Sequence, residues 1–387
     1  MKNKVGAPVD GEDFFGREKE IKYVWEMLTD GNNILLPSPR RVGKTSFAKK
    51  ILEKARENNW ETVEMNLEQV HSEIDFVMLF AERLRQLSQI EQVKETGKKL
   101  LDLLGSLKPK ISVAGASLSV EWQREKANVH RELEKILPHE KETLVFFDEV
   151  GVLLNSVLKA SNDKKQVEEF LHWLRSLRQI SGSKIRWIFS SSVGIENFTS
   201  GHQLGKTIND FTRYELKSFT KEAGKAMILA LEEGSGIQLN DDIRNKMLDK
   251  LGYLLPYFIQ ILFEKMSSQV DIEEASIDIK LVENSYIMIT DGDYLNTWVE
   301  RLQEQYNDFE SDAFLVLRYI CKAKDGISRE NLTNALYQKY EDIEQTEATL
   351  ATVIFMLKND GYLIEEDGMY LFRSPLIRDF WFNRFVR

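Results

Sequence analysis

Eight consecutive residues, Ser38, Pro39, Arg40, Arg41, Val42, Gly43, Lys44 and Thr45, have the composition of a loop that holds phosphate. The pattern of such loops is G-x-x-x-x-G-K-S/T. Gly43, Lys44 and Thr45 match it, and Ser38 stands where the first glycine usually sits. Gly43 lets the backbone curl close to a phosphate, the N–H groups after it point inward, and a helix N-terminus adds its dipole. Lys44 is placed to neutralise β- and γ-phosphates, and the Thr45 hydroxyl to bind Mg²⁺. Further along, the apolar run Leu144, Val145, Phe146, Phe147 ends in Asp148 and Glu149. In phosphoryl transfer, such a pair divides the work. Asp148 would hold Mg²⁺ through water, and Glu149 would polarise the attacking water.

Those residues need elements to hold them. Ile34 to Leu36 reads as a strand, Lys44 to Arg56 as a helix, and Thr62 to Leu67 as a second strand. A helix with Phe76, Leu79, Phe80 and Leu84 on one face follows. Thr143 to Phe147 is almost wholly apolar, which suits a central parallel strand covered on both faces. A helix over Asp163 to Ile180 and a strand over Ile185 to Ser190 complete the alternation. Strands alternating with helices predict a three-layer α/β fold around a parallel sheet, the fold of a P-loop NTPase. An insertion occupies about 86–137. Within it Ile111, Val113, Leu118, Val120 and Trp122 alternate around Gly115, a pattern that predicts a β-hairpin.

Beyond Phe219 the pattern turns helical over Lys221 to Glu232, Asp241 to Leu251 and Pro256 to Ser267, with charged linker helices running on to about Asn307. Phe314 to Ala323, Ser328 to Tyr337 and Thr346 to Lys358 then read as three helices. Two short alternating segments, Gly361 to Ile364 and Met369 to Phe372, are joined through Asp367 and Gly368. Three helices and a hairpin describe a winged helix-turn-helix. The expected domains are a core over 1–215, a helical lid with linker helices over 216–305, and a winged-helix domain over 306–387.

Phe14, Phe15, Gly16, Arg17, Glu18 and Glu20, just before the first helix, together with Pro39 to Ser46, resemble two motifs of AAA+/STAND ATPases, F-x-G-R-E-x-E and P-R-R-x-G-K-T-S. The likeness is to the family often called archaeal ATPases, and it extends over nearly the whole chain. The resemblance implies ATP or ADP as ligand, Mg²⁺ as cofactor and ATP hydrolysis as activity. It implies that the Gly16–Arg17 segment lies near the adenine, with Phe15 and Arg17 as contacts, and that Pro39, Arg40, Arg41, Val42, Gly43, Lys44, Thr45 and Ser46 surround the phosphates. It further implies a polar sensor after the strand that ends at Ser190, for which Ser191 is the candidate. It implies a lid motif packing on the nucleotide, here Pro256, with Gly252 at a longer spacing than usual. Lys44, Glu149 and Ser191 are thus the candidate catalytic residues, and Thr45 and Asp148 the candidate metal ligands. Arg213 and Arg186 are open alternatives for an arginine finger.

The winged helix raises a question of partner. A DNA reader needs basic and amide side chains on its recognition helix. Thr346 to Lys358 offers Ala348, Thr349, Ala351, Thr352 and Phe355 with the single Lys358, and the wing carries Glu365, Glu366 and Asp367. Carboxylates repel phosphates. The expectation is a nucleotide-controlled switch that engages a protein partner or its own copies. A DNA-associated AAA+ ATPase is the alternative. The net charge of −10 argues against a surface that coats nucleic acid as a whole. Cys321 is the single cysteine and the five histidines are scattered, which excludes a disulfide framework and a cysteine zinc site. Polar residues 1–10 and the lack of a long apolar run lead to the expectation of a cytoplasmic protein without membrane contact.

Overall fold

The computed structural model describes residues 1–37, 39–87, 91–113, 120–191, 195, 198, 199 and 202–387. The chain divides into two compact units. One comprises Arg17–Pro37 and Phe47–Glu215, and the other Met1–Gly16, Ser38–Ser46 and Leu216–Arg387.

The first unit is built on a five-stranded sheet in the order β2-β3-β4-β1-β5, with β1 Asn33–Leu36, β2 Glu61–Asn66, β3 Thr143–Asp148, β4 Ile185–Ser190 and β5 Phe211–Arg213. All four neighbouring pairs are parallel. Every residue of β3 is buried, as the apolar run required. Helices α1 (Glu18–Thr29), α2 (Lys44–Glu57), α3 (Glu73–Leu87), α6 (Val150–Ser161) and α7 (Lys164–Arg178) alternate with the strands. The core is strongly aromatic. Phe76 meets Phe147 edge-on at 5.3 Å, and Phe80 meets the same ring at 5.2 Å. Rings packed this way fix the end of β3 just before Asp148. At the other side of the sheet, Arg178 is buried and forms two hydrogen bonds to Asp210, at 2.7 and 2.9 Å. This pair anchors the approach to β5.

The insertion is helical. It consists of α4 (Glu91–Val113) and α5 (Val120–Lys135). The expected β-hairpin over 111–122 is therefore corrected: Ile111 and Val113 end one helix, Val120 and Trp122 begin the next, and Gly115 and Leu118 lie outside the described residues. A short alternating run at two helix ends mimics the strand period. Leu100, Leu104, Trp122, Val129 and Leu133 are buried and belong to the same core as the sheet. A polar cluster locks α5 in place. The buried Glu73 of α3 accepts hydrogen bonds from Trp122 Nε1 (3.4 Å) and is paired with Lys126 Nζ (3.0 Å). His130 Nε2 lies 3.0 Å from the same carboxylate, and its ring stacks on Trp173 of α7 at 3.8 Å.

In the second unit, α8 (Lys221–Ser235), α9 (Asp241–Leu251), α10 (Pro256–Glu273), α11 (Ile279–Asp291) and α12 (Asn296–Gln305) form the helical part. Thr220, Asn240 and Asp278 each cap a helix by accepting a backbone N–H with the side chain, and Pro256 occupies the first turn of α10. The charged linker helices of the sequence reading have apolar faces that are packed away: Leu281, Val282, Ile289, Trp298 and Leu302 are buried. One of their charges is also buried: Arg301 lies 3.5 Å from the buried Asp360. Next come α13 (Glu310–Ile320), β6 (Ile327–Ser328), α14 (Arg329–Tyr340), α15 (Ile343–Asn359), β7 (Leu363–Glu366), β8 (Met369–Phe372) and α16 (Pro375–Phe385). β7 and β8 are antiparallel and joined at Asp367-Gly368, and β6 adds to the far side of β8. Three helices with this sheet are compatible with a winged helix. α16, which carried no expectation, returns to α11, where Tyr286 donates to Asp379 at 2.8 Å.

Replacing Glu73 removes the nearer and buried carboxylate from the Lys126 ammonium and leaves it only the exposed Glu169, at 3.5 Å. Glu73→Ala is expected to destabilise the chain by about 3 kcal/mol, the typical result of breaking a buried pair. Urea unfolding followed by tryptophan fluorescence measures this, and a loss below about 1 kcal/mol would mean that apolar packing alone holds the insertion.

Candidate phosphate loop and acid pair

A parallel sheet delivers all its strand ends to one edge, and ligands of such sheets bind outside the carboxyl ends. β1 ends at Leu36 and passes the chain into the loop over 37–43, β3 ends at Asp148, and β4 ends at Ser190.

The loop is tightly folded. Lys44 opens α2 and is buried, with its ammonium donating to the Pro39 carbonyl at 3.0 Å, so the lysine bridges the loop it follows. Gly43 has φ +95, a conformation strained for any residue with a side chain. Arg41 adopts φ +68 in spite of its side chain. Val42 and Pro39 are buried and Thr45 is half-buried in the first turn of α2. Ser46 accepts the Val9 N–H on its hydroxyl at 3.0 Å. Ser38, standing in for the first glycine, lies outside the described residues. Pro39 is packed against Gly361, at the turn before β7. A Cβ added to Gly361 would come within 2.6 Å of the Pro39 Cβ, and Gly361 has φ +82. The Arg41 guanidinium lies over the Tyr257 ring, 4.4 Å from its centre, and donates to the Gly6 carbonyl at 3.2 Å. Burial pushes the Tyr257 hydroxyl above its ordinary pKa, and the positive charges of Arg41 and Arg40 oppose that rise.

Residues 14–17 continue this picture on the two sides of a unit boundary. In the second unit, Phe15 meets Phe219 edge-on at 6.2 Å, with Gly16 beside the same ring. In the first unit, Arg17 is buried at the start of α1 and pairs with Glu20 at 3.1 Å. Close to it, Tyr214 stacks on Phe47 at 6.2 Å and meets Tyr23 at 5.8 Å. The Tyr214 hydroxyl is raised by burial and by Glu20, and lowered by Arg17. Pro256 is half-buried at the start of α10, while Gly252 abuts Pro375, where an added Cβ would sit 2.7 Å from the ring. That packing gives Gly252 a place against α16.

At the acid pair, Asp148 is buried and Oδ1 accepts from the Ser190 hydroxyl and from the Glu149 N–H at 3.1 Å. Glu149 has φ +58 and ψ +38, left-handed for a residue with a long side chain, at the junction of β3 and α6. Strain of this kind clusters at functional sites. Ser191, also buried, accepts the Gly151 N–H at 3.1 Å, which ties the end of β4 to the first turn of α6. Neither Ser190 nor the Tyr214–Phe47 stack has a local signature in the sequence. Of the two arginine-finger alternatives, Arg186 donates to the carbonyls of Ser183 and Ile185 at the amino end of β4, the edge opposite the acids. Arg213 is exposed at the end of β5. Among the described residues, no group of three or more His, Cys, Asp or Glu is arranged to hold a metal. A hydroxyl such as that of Thr45 and a carboxylate such as that of Asp148 are donor types that suit Mg²⁺, which keeps several waters and shares phosphate oxygens.

Over 98% of its length this chain superposes on a Walker-type ATPase of Pyrococcus abyssi, covering 99% of that protein, with a TM-score of 0.63 at 17% identity. The fold is that of a P-loop ATPase. The Aeropyrum pernix ORC2 protein, solved as ADPNP–ADP complexes, matches over 96% of this chain and 94% of its own with a TM-score of 0.54 at 12% identity. No protein-family profile and no curated sequence matches the chain. No helix among the described residues is long and apolar enough to cross a membrane.

The Pro39–Gly361 contact makes a direct prediction. Gly361→Ala adds a clash to a left-handed backbone, and the expected loss is about 2 kcal/mol of stability. Thermal unfolding checks this, and an unchanged midpoint would show that the loop does not depend on the turn.

Proposed function

We propose that this chain binds and hydrolyses ATP with Mg²⁺ and acts as a nucleotide-controlled switch that engages a protein partner. One observation carries the reading. The strand that feeds Gly43-Lys44-Thr45 and the strand that ends in Asp148-Glu149 belong to one parallel sheet and end at the same edge. The fold likeness to a Walker-type ATPase, and to a protein solved with ADPNP and ADP, supports it.

In this reading, Lys44 leaves the Pro39 carbonyl for phosphate oxygens, and the loop N–H groups add their dipoles. Thr45 and Asp148 hold Mg²⁺, which when bound neutralises charge on the phosphates. Glu149, at the left-handed junction of β3 and α6, orients the attacking water. Ser190 fixes the Asp148 carboxylate, and Ser191 ties the sensor strand to the helix that follows Glu149. Phe15, Gly16 and Arg17 take the adenine side, and Pro256 sits on the lid side.

The partner assignment rests on the surface of α15 and the wing. Ala348, Ala351 and Phe355 are exposed along one face of α15, and Glu365, Glu366 and Asp367 are exposed on the wing. A face of methyl groups and a ring beside three carboxylates suits a protein and repels a phosphate backbone. Two arginines near the end of the chain are paired with carboxylates, Arg378 with Asp379 and Arg384 with Asp293.

Turnover of Mg-ATP, measured with and without duplex DNA, tests this. Glu149→Gln is expected to retain nucleotide and to lose turnover by about a hundredfold or more. Lys44→Ala is expected to lose nucleotide binding, and DNA is expected to leave the rate unchanged. A rate that rises with duplex DNA and falls steeply with salt would replace the protein partner with DNA. A rate unaffected by both substitutions would remove the hydrolase reading.

A further inference from the structure

Arg41 is a loop residue whose side chain turns away from the loop. Its backbone sits at φ +68, where L-residues other than glycine and asparagine rarely rest. Such strain persists only where the surroundings over-determine it. Here they do. The guanidinium lies over the ring of Tyr257, the second residue of α10, 4.4 Å from its centre, and donates to the Gly6 carbonyl. One turn along α10 from Tyr257, Gln260 meets the same N-terminal segment. Asn3 Nδ2 donates to the Gln260 carbonyl at 3.0 Å, and Gln260 Nε2 donates to the Lys4 carbonyl at 3.4 Å. The segment returns just past the loop at Val9, whose N–H donates to Ser46 in the first turn of α2. Loop, α10 and residues 3–9 thus close a circuit, and Arg41 is the link that joins all three.

We propose that Arg41 is a positioning residue: by gripping Tyr257 and the Gly6 carbonyl it holds the phosphate loop against α10 and the N-terminal segment. The consequence deepens the nucleotide-binding reading, on which it rests. Phosphate affinity becomes coupled to the placement of α10, because the loop cannot shift its backbone at residue 41 without dragging the guanidinium off the ring. Arginine suits the task. Its planar group stacks on the ring by one face and still donates at its edge, which a lysine ammonium cannot do.

The test is a double-substitution cycle in the full chain, read as affinity for a fluorescent ADP analogue and as kcat and KM for Mg-ATP. Arg41→Ala and Tyr257→Leu are each expected to weaken ADP binding by about fivefold to tenfold, the range of a partly desolvated cation–π contact. The double variant is expected to be no weaker than either single one, because both remove the same contact. KM is expected to rise more than kcat falls, and Tyr257→Phe, which keeps the ring, is expected to keep the coupling. Additive losses would overturn the proposal. So would a kcat loss in Arg41→Ala with no effect of Tyr257→Leu, which would make Arg41 a direct phosphate ligand. Amide hydrogen exchange across residues 42–48 gives a readout without nucleotide. Faster exchange in both single variants supports the grip, and unchanged exchange overturns it. Should either variant fail to fold, Arg41→Lys with Tyr257→Met decides by the same criteria. Unchanged ADP affinity in Lys44→Ala would sink the nucleotide reading beneath, a result distinct from every outcome of the cycle.

Discussion

Parallel pairing is the constraint on which this molecule depends. Once β1, β3 and β4 run the same way, their carboxyl ends must emerge together, and each return to the opposite edge needs a long crossover. The helices that make those crossovers cover both faces of the sheet, so the strands become continuous apolar runs. Phe147 shows the outcome at one residue. It is clamped edge-on by Phe76 and Phe80, and the next residue in the chain is the buried carboxylate Asp148. The rigidity of the core is transmitted to the acid by a single peptide bond.

Polar order at the sheet edge follows from the same packing. A buried carboxylate without donors would be strongly disfavoured. Asp148 is supplied by the hydroxyl of the neighbouring strand and by the N–H of the next residue. Glu73 solves the equivalent problem far from the edge, with an indole, an ammonium and an imidazole. The two sites differ in what they require of the backbone. Glu73 sits in a regular helix, whereas the residue after Asp148 is forced into a left-handed turn. Of these two sites, only the one at the carboxyl end of β3 carries left-handed backbone.

The sequence makes some of this plain. The strand–loop–helix around Gly43-Lys44-Thr45 is legible because a glycine and a helix start stand side by side after an apolar run, and β3 is legible because a strand covered on both faces is a nearly continuous apolar run. Ser190 is illegible for the opposite reason. Its closeness to Asp148 arises from the register that pairs Phe147 with Phe189, and pairing between distant strands leaves no local trace. Alternation at 111–122 points to strands because five apolar positions around a glycine are too few to separate a period of two from one of 3.6. The helical character rests on Leu100, Leu104, Val129 and Leu133, which lie outside that window. Arg41 reads as one more charge in a basic loop, and only the packing of α10 shows that its side chain is spoken for.

The packing of Pro39 on Gly361 carries a consequence for biogenesis. A ribosome releases the chain from its amino end, and units that are complete can fold while the rest is still being made. The sheet has all its strands once residue 213 has emerged. The phosphate loop does not have its neighbours then: Tyr257 arrives later and Gly361 later still. During synthesis, the nascent chain therefore passes through a stage in which the sheet is formed and its loop has no lid or turn to rest on. The packing of Pro39 on Gly361 and of Arg41 on Tyr257 therefore comes after the sheet in the order of synthesis.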